Sequence, residues 1–254
     1  MNAIASTAPL KEENRTSDLA CLYKLGAVPA LLVLCTAVLE IVITFLPGGY
    51  DSADTVIDWF HLLHDNWFLG LRNLGLLNIV MTALEIPIFF VLYRIHRSHA
   101  PVLSTLALMI SFIGAAVFYA TNRAFPMWDL SVRYAAATTE IQKEVLEAAG
   151  QAMLAVGQSH TPGTFLGFVF SEIAGIMISV VMLRCGIFSR LNAYAGMLGF
   201  GMLLVYEVCQ SFVPAISGSA LIFAILGGLL NLLWYTLIAH RLFKMADMET
   251  RTQN

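Results

Sequence analysis

At 254 residues, 58% hydrophobic and only 12% charged, with a mean hydropathy of +0.75, the chain carries more apolar surface than a soluble domain of its length can bury. It reads as an integral membrane protein. A net charge of −3 without any basic block speaks against nucleic acid as a partner, and four scattered cysteines without a C-x-x-C pair speak against a disulfide or zinc framework, leaving buried thiols that act as small hydrophobes.

Residues 1–24 are polar and mixed in charge (KEENRTSD). They cannot form the apolar core of a secretory signal, so they are expected to stay on the chain as a cytoplasmic segment. Six apolar stretches, about 20 residues each, then qualify as bilayer-crossing helices. They are residues 25–47, 74–93, 102–121, 163–183, 191–212 and 220–239, within one transmembrane domain over 25–244 that ends in a polar tail, 245–254. The fold expected is all-α. An even number of spans puts both termini on one side, and ten of the 14 Lys and Arg fall on that side; only Arg72, Arg123, Arg133 and Lys143 lie on the other. By the positive-inside rule the termini and the two short loops are expected to be cytoplasmic.

Both longer loops, which then face outward, read as amphipathic helices. In DTVIDWFHLLHDNW the residues Val56, Trp59, Phe60, Leu63 and Trp67 repeat with helical spacing, which predicts a helix lying on the membrane with tryptophans at headgroup depth. In TTEIQKEVLEAAGQAMLAV, Thr139 and Gln142 have capping-box spacing and Ile141, Val145, Ala149, Ala152 and Val156 form a stripe; this helix is expected to lie across the outer mouth. Pro162 and Gly163 break it before the fourth span.

The chemistry-bearing residues are four carboxylates inside spans: Glu40, Glu85, Glu172 and Glu207. A carboxylate in hydrocarbon costs several kcal/mol if charged and unpaired, about 2.5–3.5 on insertion scales, so such groups face a bundle interior. Helical spacing supports a common one: Thr36, Glu40 and Thr44 in the first span; Asn78, Thr82 and Glu85 in the second; Ser104, Ser111 and Asn122 on one face of the third. The fourth span carries a small-residue stripe, Gly167, Ser171, Gly175 and Ser179, the pattern of close helix contact in lipid. Glu172 stands at its edge. Depth along each helix puts Glu40, Glu172 and Glu207 in one outer layer with Glu85 deeper, and Arg72, Asn122, Arg123 and His160 on the outer rim as counter-ions. The plain alternative is that these acids are paired or protonated and hydrogen-bond the helices together.

His61 and Asp65, four apart, are weak metal-ligand candidates, with His160 as a third across the mouth; a solvated polar face is the simpler reading. His96 and His99 fall in a basic turn at headgroup level, and no span places histidines for haem. No nucleotide, flavin or quinone motif is present, so no cofactor is expected.

Three runs, TVIDWFHLLHDNWFLGLRNLGLLNIV, RYAAATTEIQKEVLEAAGQAMLAV and ISVVMLRCGIFSRLNAYAGMLG, taken in this order, resemble a bacterial multipass membrane family known as domain of unknown function 4386. The resemblance extends from about Tyr23 to Lys244. It implies six spans and a bacterial-type membrane and transfers no site residue.

The function expected from the residues is binding or transport of a small hydrophobic or cationic ligand in an outer pocket built by Glu40, Glu85, Glu172, Glu207, Asn78 and Arg123. Two alternatives stand beside it: a membrane-embedded acid-base enzyme acting on a lipid or isoprenoid, and a structural or regulatory subunit that forms homo- or hetero-oligomers through the Gly167, Ser171, Gly175, Ser179 stripe.

Overall fold

The computed structural model describes residues 7–45 and 53–251. Among them there is no strand, and six helices are long and apolar enough to cross a bilayer. The spans are α1 (Thr7–Phe45), α4 (Leu76–His96), α5 (Pro101–Thr121), α8 (Phe165–Cys185), α9 (Arg190–Phe212) and α10 (Ser217–Arg251). Between them lie α2 (Val56–Asp65), α3 (Trp67–Asn73), α6 (Ala124–Ala136) and α7 (Glu140–Gly157). The first expected span ended at residue 47, so its last two positions lie outside the described residues, as do 252–254 of the expected tail. Residues 1–6 of the expected polar N-terminal segment also lie outside the described residues; its remainder, 7–24, and 245–251 of the tail continue α1 and α10 as helix, with no break at 24 or 244.

Local chemistry sets the ends. Pro101 occupies the first turn of α5, where its missing N–H costs nothing. The α8 helix stops at Gly186, whose φ of 66° is left-handed. Ser189 caps α9 by accepting from the Asn192 N–H.

The six spans pack in chain order as a ring: α1 on α4, α4 on α5, α5 on α8, α8 on α9, α9 on α10, and α10 back on α1. Their outer faces carry Leu31, Met109, Phe112, Leu198 and Ile225, each more than 40% exposed, which is the surface a bilayer requires. The chain is a multipass integral membrane protein. Its core is tightest toward the terminal end, where Ile88, Leu92, Met182, Trp234, Ile238 and Leu242 are all buried.

The small-residue stripe of α8 points into this ring. A Cβ on Gly167 would meet the Phe118 backbone of α5 at 3.0 Å, and one on Gly175 would overlap the Phe200 ring of α9. Ser179 is likewise buried against α9 at Gly196. These positions are engaged within the chain.

At the end opposite the termini, α2, α3, α6 and α7 form a cap with a second small core. Here two expectations are corrected. Val56, Trp59, Phe60 and Leu63 of α2 do share a face, but it is buried against α6 and α7 rather than laid on the membrane; Trp59 is 7% exposed, while Trp67 is 56% exposed. The partner responsible is α6, whose run AFPMWDLSVRYAA continues beyond the third span after a break at Asn122. Helix α7 does open with the Thr139–Gln142 capping box, but Ile141 and Val145 of its expected stripe are 75% and 64% exposed. The opposite side, with Gly150 against Val56 and Phe60 and Gly157 against Arg123, makes the contact, because glycines let backbones approach closely.

Two smaller corrections concern the terminal side and the thiols. His96 does not face the headgroups: it is fully buried as the last residue of α4, its Nδ1 donates to the Leu92 carbonyl at 2.8 Å, and its ring stacks on Phe188. Cys21 and Cys35 are exposed on α1 rather than buried.

Candidate functional site

The ring encloses a chamber of about 300 Å³ to which all six spans contribute. Three of the four intramembrane carboxylates line it, Glu40 from α1, Glu85 from α4 and Glu172 from α8, together with Asn78 and Asn231. The rest of the wall is mostly apolar, with the rings of Phe118, Phe168, Phe200 and Tyr235 around the acids. Above it, toward the end opposite the termini, lies a polar vestibule of about 340 Å³ that reaches Arg72, Asn73, Gln158 and His160. Glu40 and Asn78 line both spaces and form their common border.

Each acid has a different environment. Glu40 receives the Arg72 guanidinium at 2.7 Å; Arg72 also donates to the Glu40 carbonyl at 3.0 Å, to the Thr44 hydroxyl and to Asn73 Oδ1 at 2.8 Å. Glu85 accepts a hydrogen bond of 2.5 Å from the Tyr235 hydroxyl. Glu207 accepts one of 2.5 Å from His160 Nδ1. Glu172 differs in having no hydrogen bond or ion pair among the described residues: its Oε2 is buried without a partner, as are Oε2 of Glu40 and of Glu207, whose Oε1 atoms are paired. The Asn231 Oδ1 is in the same state across the chamber. A buried polar atom without a partner is costly.

Glu207 does not join the other three. It is 2% exposed and turned toward His160, whose ring stacks on Phe168 at 4.8 Å and meets Tyr206 edge-on at 5.1 Å. Arg123 lines neither space: its guanidinium donates to the carbonyls of Ala120 and Asn122. Asn122 is a joint rather than a counter-ion. It donates to the Leu74 carbonyl and accepts from the Ala124 N–H, ending α5 and starting α6. Of the expected rim, Arg72 and His160 are the ones that meet acids.

His61 and Asp65 lie on the exposed face of α2, away from His160 on Glu207. Among the described residues no three His, Cys, Asp or Glu side chains are grouped to hold a metal.

Sequence reasoning missed Tyr235 and the chamber phenylalanines. Gly228, Asn231, Leu232 and Tyr235 stand at i, i+3, i+4 and i+7 on α10, a line the polar Asn231 alone could have flagged.

A family model described as a domain of unknown function, DUF4386, matches residues 30–237. The chain belongs to this family. The matched region runs from the middle of α1 into α10 and so takes in four spans whole, part of the first and last, and every residue that lines the chamber and the vestibule. No curated protein and no solved structure matches the chain.

Proposed function

We propose that this DUF4386 protein binds a small hydrophobic cation in the chamber, as a receptor or carrier in the plasma membrane with its termini in the cytoplasm. One observation carries the reading: Glu172, 7% exposed, lines a space walled by aromatic rings, and its carboxyl group meets no donor or cation of the chain among the described residues. A cation supplies the missing charge and donors, and rings supply cation–π contact to its organic part. A volume of about 300 Å³ is at the small end for ligand sites, which limits the bound group to a compact one. The polar vestibule offers a path from the side away from the termini, and the excess of Lys and Arg on the terminal side supports the orientation.

The test is native mass spectrometry of the protein released from nanodiscs, wild type beside Glu172→Gln. The expected result is a discrete cationic adduct on the wild type that is absent from the variant, with thermal unfolding unchanged. Identical spectra from both would overturn the reading. A second reading, acid-base chemistry on a lipid or isoprenoid, is favoured by the Glu85–Tyr235 hydrogen bond in the same chamber, which pairs two groups able to pass a proton. Product formed from such a lipid by the wild type and not by Glu85→Gln would select it.

A further inference from the structure

One seam of the ring is loosely packed beside the chamber, and it bears on what kind of cation fits. At chamber depth most seams of the ring are shut by close contact. Gly167 packs on Phe118 between α5 and α8, Gly175 on Phe200 between α8 and α9, and Gly199 on Leu230 and Asn231 between α9 and α10. Tyr119 donates to the Ile79 carbonyl across the α4–α5 seam. The seam between α1 and α10 differs along its length. Toward the termini it is tight, since a Cβ on Gly26 would meet Leu242 at 2.9 Å. Toward the other end no described residue of α1 beyond Val33 is buried. Gly227 of α10 turns to Leu203 of α9, and a Cβ on Gly228 would meet nothing within 4 Å. Yet Gly228 and Ile41 both line the chamber, and Ile41 is 44% exposed on the lipid-facing surface. The Glu40 side chain, on the same stretch, is 34% exposed although it belongs to a span.

From this we infer that the ligand is a single-chain amphiphilic amine that enters from the bilayer between α1 and α10. Its ammonium group sits at Glu172 and its alkyl tail leaves the chamber past Ile41 and Gly228 into lipid. The small chamber holds the head, and the open seam removes any limit on the tail. The inference rests on the proposed cation site and adds to it the tail, the route and the substrate class. Charge complementarity selects the head: the Glu172 carboxyl lies deep inside without a cation, while the seam offers Ile41 and Gly228 beside a Glu40 that Arg72 already neutralises.

Photolabelling in nanodiscs tests it with two probes, dodecylamine carrying a diazirine at its chain end and a compact cyclohexylamine diazirine. Each is applied to wild type, Glu172→Gln and Gly228→Trp, with thermal unfolding as the folding control. The dodecyl probe is expected to label the facing sides of α1 and α10, and the label to fall about tenfold or more in both variants. The compact probe is expected to label the chamber in wild type and to lose its label in Glu172→Gln. Should the compact probe behave so while the dodecyl chain end labels the vestibule, or ignores Gly228→Trp, the lateral route is wrong and the cation site stands. Should neither probe depend on Glu172, both fall together.

Discussion

Arg72 belongs to a short helix outside the six spans, yet its guanidinium meets the Glu40 carboxylate of the first span at 2.7 Å and is 3% exposed there. The contact joins the cap to the part of α1 that has no buried residue of its own beyond Val33. A tether of this kind holds one wall of the chamber by polar contact where apolar packing is absent.

Removing the cation should therefore loosen that wall. Arg72→Met leaves the Glu40 carboxylate without its ion pair. Because that carboxylate is a third exposed, the expected loss is about 2–3 kcal/mol, below the 3–5 typical of a fully buried pair. Unfolding in detergent reads the loss, and the double change Arg72→Met with Glu40→Met should recover most of it. A double variant as unstable as the sum of the two singles would show that the pair is not the tether.

Gly175 tests the ring itself. Any side chain there overlaps the Phe200 ring, so Gly175→Val should cost about 1–3 kcal/mol by overpacking. Phe200→Leu in that background should return part of the loss. Gly228→Ala is the contrast, because a Cβ there meets nothing and the helix gains from replacing glycine. Equal losses at the two glycines would mean that the α8–α9 seam is looser than its geometry.

The spans were legible because hydrocarbon demands about 20 apolar residues in a row, a signal few alternatives mimic. Glu40, Glu85, Glu172 and Asn78 were legible as interior residues for the same reason, since polar groups in spans avoid lipid. Phe118, Phe168 and Phe200 were not, because a phenylalanine is equally at ease in lipid and in a chamber wall. On α2 the periodicity of Val56, Trp59, Phe60 and Leu63 was read correctly and its partner wrongly: without α6 in view, the membrane was the only apolar surface to hand. On α7 two apolar faces competed, and Gly150 and Gly157 decided between them by allowing close approach, which periodicity of large residues does not record. Glu207 parted from the other acids because a residue 47 positions away, His160, reaches it, a pairing that helical spacing cannot see.

The start of α2 gives a pH prediction. Asp58 accepts from the Thr55 hydroxyl at 2.7 Å and from the Thr55 N–H at 2.8 Å, and the hydroxyl in turn accepts from the Asp58 N–H. These bonds, the hydroxyl's first, hold the Asp58 carboxyl below its ordinary value of 3.8. A group whose folded pKa is lowered stabilises fully above its unfolded pKa, and the stabilisation is lost as pH falls through the folded value. Amide exchange in the first turn of α2 should thus speed up, beyond the intrinsic pH effect, only below about pH 4. In Thr55→Ala the turn should exchange faster at neutral pH and lose that acid dependence. An unchanged acid limb in Thr55→Ala would mean the capping box does not hold the helix.

His160 combines a contact with a strained backbone, and two substitutions separate them. Its φ of 58° is left-handed, a region that costs a residue with a Cβ about 1–2 kcal/mol and glycine very little. Both His160→Gly and His160→Ala remove the donor to Glu207 and the stack on Phe168, leaving a carboxylate that is 2% exposed without that partner, at about 1–3 kcal/mol. Alanine also keeps the strain. His160→Ala should therefore unfold at a lower temperature than His160→Gly, by about 1 kcal/mol in stability, and Glu207→Gln should recover part of the loss in either background. If the two variants are equally stable, the turn at 160 relaxes when the ring is gone, and the His160–Glu207 contact itself is what holds the left-handed backbone in place.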